Sequence, residues 1–290
     1  MKKIVSLIGL ELLKIWKRPL TWIIISLGVI SVVGTIVGAY NLLLNNNLYS
    51  ATTDQMIPLE KGIVNFVLPG ALSSALGMAR TVGSWLLIIF TAIFVGMEDA
   101  WGTLRVMLSS GISRGQYLAG KLGALLVIVM GFVLVALISG AVTAFVIQST
   151  TTIARPEQTV DGHLLGSLLM MGFRVIVALY IPVLLTFCAT ILSRSQVTGI
   201  AIGLGYFLFE AIMKNAFDSL GPVGDMLRPL LIGYDVATLM ELNNFNLDRL
   251  PDLSPSVTEA WLALIIYGVL FISISWFVFE KRDITSARGS

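Results

Sequence analysis

Side chains able to do chemistry are scarce in this chain, and they gather in two places. The first is Glu98-Asp99 with the segment behind it, which carries Gly102, Thr103, Leu104, Arg105, Leu108, Ser109, Ile112, Ser113, Arg114, Tyr117, Gly120 and Lys121. The second is a pair of ionisable residues, Arg174 and Glu210, inside long apolar runs. Neither place reads as catalytic. One histidine (His163) and one cysteine (Cys188) cannot build a metal site or a disulfide within one chain. Glu98-Asp99 lacks metal-ligand spacing, and carboxylates there suit the start of a following helix, whose dipole favours anions. Gly115 to Lys121 matches the phosphate-loop spacing G-x-x-x-x-G-K. However, Leu122 stands where the magnesium-holding hydroxyl belongs, and no strand precedes the glycine. No cofactor is expected in this chain.

The first cluster fits docking better than catalysis. Leu104, Met107, Leu108 and Ile112 fall at i, i+3, i+4 and i+8, one face of a helix. Such a segment can lie along a membrane surface or press its apolar face into a groove on a partner. An ordinary loop with caps and snorkelling charges fits the same residues.

The elements that must position these residues are membrane helices. The 290 residues are 56% hydrophobic and only 12% charged, against about a quarter charged in soluble domains. Mean hydropathy is +0.89. That charge cannot coat a water-soluble globule, and a net charge of +2 gives no argument for nucleic acid.

The loop pattern resembles the ABC type-2 exporter permeases. In that family a Glu, a Gly-Thr-Leu, a Leu-Ser-x-x-Ile-Ser-Arg run and a closing Gly-Lys form the coupling helix that docks on the ATPase subunit. The matching positions are Glu98, Gly102, Thr103, Leu104, Leu108, Ser109, Ile112, Ser113, Arg114, Gly120 and Lys121, with Arg105 where many relatives carry Glu and Gly111 where many carry Pro. The resemblance implies an all-α integral membrane protein with six transmembrane helices, an N-terminal amphipathic elbow helix and a cytoplasmic coupling helix. It also implies an outward-directed transport subunit working as a homodimer or with a paralogue, with two ATPase partners carrying ATP and Mg. The substrate class it implies is a lipid, a peptide or a hydrophobic drug. The expected docking residues are Glu98, Gly102, Leu104, Arg105, Leu108, Ile112 and Arg114.

In chain order, residues 1–19 form an amphipathic helix with Ile4, Leu7, Ile8, Leu12 and Ile15 on one face, ended by Pro19. Its interrupting charges and the lack of a cleavage site argue against a signal peptide. Spans are expected over 20–44, 76–97, 122–147, 164–192, 197–213 and 259–279. The cytoplasmic coupling loop covers 98–121, and an extracellular loop covers 214–258. Residues 63–79, interrupted by Pro69-Gly70, are expected as an interfacial or re-entrant helix, with a seventh span as the rival. With both termini cytoplasmic, twelve Lys and Arg lie inside and six outside, Arg80 among the latter. This obeys the positive-inside rule; the resemblance implies a prokaryotic cell membrane.

Arg174 and Glu210 lie at similar depth in the outer half of spans four and five. A lone charge there costs at least about 2.5 kcal/mol. Two readings stand: the two side chains pair, or Glu210 pairs with Lys214 while Arg174 snorkels outward. Gly34 and Gly38 in span one, and Gly199 and Gly203 in span five, are small-x-x-x-small faces. They suit close packing at a dimer axis and translocation path, or packing within one chain. Beside the permease stand two rivals of other classes: an intramembrane lipid-modifying enzyme, and a channel or scaffold subunit without ATP coupling.

Overall fold

The computed structural model describes residues 2–45, 65–100, 109, 111–150, 162–243 and 256–281, and every regular element among them is helical. In order these are α1 (Lys2–Trp16), α2 (Pro19–Leu44), α3 (Gly70–Ala100), α4 (Arg114–Thr150) and α5 (Gly162–Ser193). There follow α6 (Gln196–Ser219), α7 (Pro222–Leu227), a 3₁₀ turn (Arg228–Leu230), α8 (Ile232–Glu241) and α9 (Val257–Lys281). Six of them, α2, α3, α4, α5, α6 and α9, are long and apolar enough to cross a membrane. With outward-facing Ile138, Val142, Phe145, Ile265 and Val269 largely exposed, their coat suits hydrocarbon rather than water. The chain is an all-α integral membrane protein.

Local chemistry sets the helix ends. Pro19 sits at the first position of α2, where its missing N–H is not needed, so α1 turns into the bundle within two residues. Ser195 accepts from Thr198 N (3.3 Å) to start α6 after a turn in which Arg194 takes a left-handed φ of 57°. At α9, Ser256 and Glu259 cap one another's backbone amides, at 2.8 and 3.4 Å. Pro182 inside α5 lacks the N–H that would meet the carbonyl of Ala178, and Thr186 Oγ1 donates to Pro182's own carbonyl (2.9 Å).

Helices α3 and α5 are the innermost pair, with α2, α4, α6 and α9 around them. One core cluster runs through α1 to α5. A second joins α5 to α8 and α9 through Ile181, Leu184, Val236, Leu239 and Leu264.

Several boundaries differ from those read off the sequence. Residues 70–79 are not a separate interfacial or re-entrant helix but the first turns of α3, because Pro69-Gly70 precedes the helix instead of breaking it. Arg80, counted among outer-loop charges, therefore lies ten residues inside that helix. Helix α4 starts at Arg114 instead of 122, so the coupling stretch 98–121 contains the end of α3 and two turns of α4. The loop 214–258 contains the end of α6, α7 and α8. Within the coupling segment, Gly102, Leu104, Arg105 and Leu108 lie outside the described residues.

Candidate functional site

At the end of the bundle where α3 leads toward α4, four charged side chains from three elements close into a square. Glu11 and Lys14 come from α1, Glu98 from the last turn of α3, and Lys121 from the second turn of α4. Lys14 Nζ lies 2.7 Å from Glu11 Oε1 and 3.3 Å from Glu98 Oε1. Lys121 Nζ lies 3.1 Å from Glu11 Oε2 and 3.0 Å from Glu98 Oε1. Each carboxylate thus meets both ammoniums, and the formal charges cancel.

Burial makes this arrangement consequential. Lys121 is 0% exposed and Glu11 and Glu98 are 3% each, so removing one member would leave a buried charge uncompensated. Neutral neighbours complete the site. Tyr117 OH donates to Glu98 Oε2 (2.6 Å), and Lys121 Nζ sits 3.7 Å from the centre of the Phe94 ring. Tyr117 stacks on Phe279 of α9 at 5.4 Å. Close approach of α1 to α4 rests on glycine: a Cβ at Gly120 would meet Leu7, and one at Gly123 would meet Ile8 at 2.6 Å.

Three docking residues predicted from sequence are described, and each is engaged within the chain. Glu98 turns inward to the square, where it meets Lys14 and Lys121; the loop helix it is expected to cap lies outside the described residues. Arg114 donates to the carbonyls of Phe279 (3.3 Å) and Glu280, which have no partner within the last turn of α9. Ile112 packs against the core cluster. The G-x-x-x-x-G-K stretch is α-helical, with Lys121 committed to carboxylates, so it is no phosphate loop.

Sequence reasoning missed Glu11 and Lys14, although a signal was there. At 100° per residue Glu11 falls in the middle of the Leu7, Ile8 and Ile15 stripe. A carboxylate on the apolar face of an otherwise amphipathic helix needs a buried cation.

At the opposite end of the bundle, Arg174 and Glu210 do not meet. They hold opposite ends of α8. Glu210 Oε1 accepts from Gly233 N (2.5 Å), and Tyr206 OH accepts from Ile232 N (3.1 Å), at the start of that helix. Arg174 donates to Leu242 O and Asn243 Oδ1, both 3.1 Å, at its end. An anion at the N-terminus and a cation at the C-terminus both complement the helix dipole, so each charge is stabilised at its own end of α8. The charge facing Glu210 is instead Arg80, which lines a ≈10 Å³ cavity with Glu210, Tyr206 and Ser84.

Asp235 of α8 is fully buried, and neither carboxylate oxygen has a hydrogen-bond partner among the described residues. Burial, followed by the charges of Glu210 and Glu259, pushes its pKa up to about 8. It too sits on an apolar stripe, with Ile232, Val236 and Leu239.

The small-residue faces divide. A Cβ at Gly199 would strike Thr190, and one at Gly203 would strike Thr186 and Ile88, so these two serve packing of α6 on α5 and α3. At Gly34 and Gly38 a Cβ meets nothing within 4 Å, and that face of α2 is open.

Known proteins now bear on this geometry. The family described as protein of unknown function (DUF2705) matches residues 48–285. The chain belongs to that family. A probable ABC transporter permease protein, NosY, from Pseudomonas aeruginosa is 28% identical over 218 residues, covering 69% of this chain and 74% of that protein. That likeness, with six spanning helices, supports a membrane permease subunit.

Proposed function

We propose that this chain is the membrane-spanning subunit of an ATP-driven exporter, powered by separate ATPase subunits that carry the ATP and Mg. The observation that carries the reading is the ion-paired square. It joins α1 to the ends of α3 and α4, the two helices that flank residues 101–113. A force applied to that segment cannot tilt α3 or α4 alone, because the square and the α1 contacts move with them. Helix α3 packs along α5, so the displacement reaches the centre of the bundle. The apolar side chains of Leu104 and Leu108 would provide the grip, with Ile112 anchoring that segment to the core and Arg105 toward acidic partner residues. Gly34 and Gly38 offer an open small-residue face for a second copy of the chain. The transported substrate is apolar or amphipathic in this reading: a lipid, a peptide or a hydrophobic drug. Both termini would be cytoplasmic and the membrane would be the cell membrane.

An intramembrane enzyme is the weaker reading. It needs a substrate-sized space beside convergent polar groups, whereas the cavity at Arg80, Tyr206 and Glu210 has room for about one water.

The test is co-expression with an ATPase encoded beside the gene. Leu108→Asp should leave membrane insertion intact and abolish co-purification of the ATPase. Undiminished co-purification would overturn docking at this loop.

A further inference from the structure

A second feature of the same end of the molecule lies outside the transport reading. Between α1, α2, α3 and α4 lies a cavity of ≈420 Å³, within the range of roughly 300–1,000 Å³ typical of small-molecule sites. Its wall is hydrocarbon and aromatic, with Leu12, Ile24, Leu87, Phe90, Val127 and Phe132 among the lining side chains. Thr21 carries the one hydroxyl on the wall, and it is already committed to Ile15 O at 2.6 Å. Nothing polar is therefore offered to an occupant inside.

The rim is different. Trp16 and Trp22 meet edge to face at 4.6 Å, and Trp22 Nε1 donates to Trp16 O (3.2 Å). Both indoles are about half exposed, as side chains at a membrane–water interface are. Between them the α1–α2 turn carries Lys17 and Arg18. The Arg18 guanidinium leans over the Phe94 ring at 5.9 Å, and Lys17 is exposed. Among the described residues neither cation has a carboxylate within 4.0 Å, while the neighbouring square is already neutral. The turn therefore carries two positive charges with no carboxylate at ion-pair distance, between two indoles that line the apolar cavity. The outer surface beside it, at Ile30, Val127 and Leu134, is exposed and apolar.

We infer that this cleft is a binding site for one anionic phospholipid, with an acyl chain in the cavity and its phosphate at Lys17 and Arg18. The apolar wall selects hydrocarbon, the indole pair fixes the depth of the headgroup, and the two cations select net negative charge. A bound lipid would fill the space between the elbow and the spans and hold α1 against α2 and α4. The site rests on the spanning fold and not on ATP coupling, so either reading can fail while the other stands.

Gly131 gives a clean test, because it lines the cavity and a Cβ added there meets nothing within 4 Å. The full-length chain in detergent, titrated with phosphatidylglycerol or phosphatidylcholine, would be read by native mass spectrometry. We expect one retained phosphatidylglycerol per chain, preferred about fivefold or more over phosphatidylcholine. Gly131→Phe should lose the retained lipid of either kind, and Lys17→Glu should keep a lipid but lose the preference. Phosphatidylglycerol with a diazirine on its acyl chain should cross-link the unaltered chain within residues 12–25 and 127–135, which needs no variant to fold. Equal retention by Gly131→Phe, equal affinity for the two lipids, or cross-links spread evenly over outward positions such as Ile138 and Ile266 would overturn the site.

Discussion

The two ends of this bundle keep charge in apolar surroundings by different means. At the loop end, Glu11, Lys14, Glu98 and Lys121 neutralise one another across three helices. At the far end, Glu210 and Arg174 meet no opposite side-chain charge at ion-pair distance among the described residues; each meets one end of α8. The contrast carries a physical lesson. A charge-to-charge square ties separate elements into one body, because no member can leave without exposing its partners to burial alone. A charge on a helix end holds a single short element in place, and that element can be released without stranding a second ion. The first arrangement suits transmission of force, and the second suits a cover.

The largest expected effect comes from breaking the square. Lys121→Met would leave two buried carboxylates facing one ammonium and should cost about 3–5 kcal/mol, read as a large fall in melting temperature in detergent. Lys14→Met should cost less, since that side chain is 35% exposed and water can take over its role. Equal losses for the two would contradict a buried square closed by Lys121.

Smaller effects are expected at α8. Glu210→Ala and Arg174→Ala should each cost about 1.5–3 kcal/mol, as hydrogen bonds to charged groups do. Because both side chains hold α8, the double variant should lose no more than the sum of the two in melting experiments. Losses under about 0.5 kcal/mol for both single variants would show that neither side chain holds α8.

Asp235 gives a pH signature confined to the far end. Its folded-state pKa of about 8 lies above the ordinary 3.8, so the fold holds a proton that the unfolded chain releases. Stability should therefore fall as pH rises from about 4 to about 8 and level off above. Asp235→Asn, neutral throughout, should flatten that portion of the melting-temperature profile and be no less stable than the natural chain at pH 8. An unchanged slope would show that another group titrates.

Much of the fold is legible in the hydropathy pattern, because lipid as solvent demands long apolar helices, and each of the six spans starts or ends close to where composition changes. The starts of α3 and α4 are harder. Pro69-Gly70 breaks an apolar run in sequence, yet a proline placed just ahead of a helix starts it. The site was only half legible. Spacing showed that Glu98 and Lys121 bracket a polar loop, but not that both turn inward. Spacing tells which face of a helix a residue occupies and is silent on which neighbour it meets. Glu11 and Asp235 were the missed clues, each an acid on an apolar stripe. For Arg174 and Glu210 the sequence leaves pairing and separate partners equally open, and the structure gives each one end of α8. Their true partner, α8, is ten residues long and hidden in a polar loop too short to read as a helix.

The account as a whole depends on the loop between α3 and α4 being a handle in the cytosol, on the same side of the membrane as the square. Ser110→Cys in a Cys188→Ser background, probed with a membrane-impermeant maleimide, tests this most directly. Labelling of inside-out vesicles with silent intact cells is the predicted result. Labelling of intact cells at that position would contradict any ATPase gripping this loop.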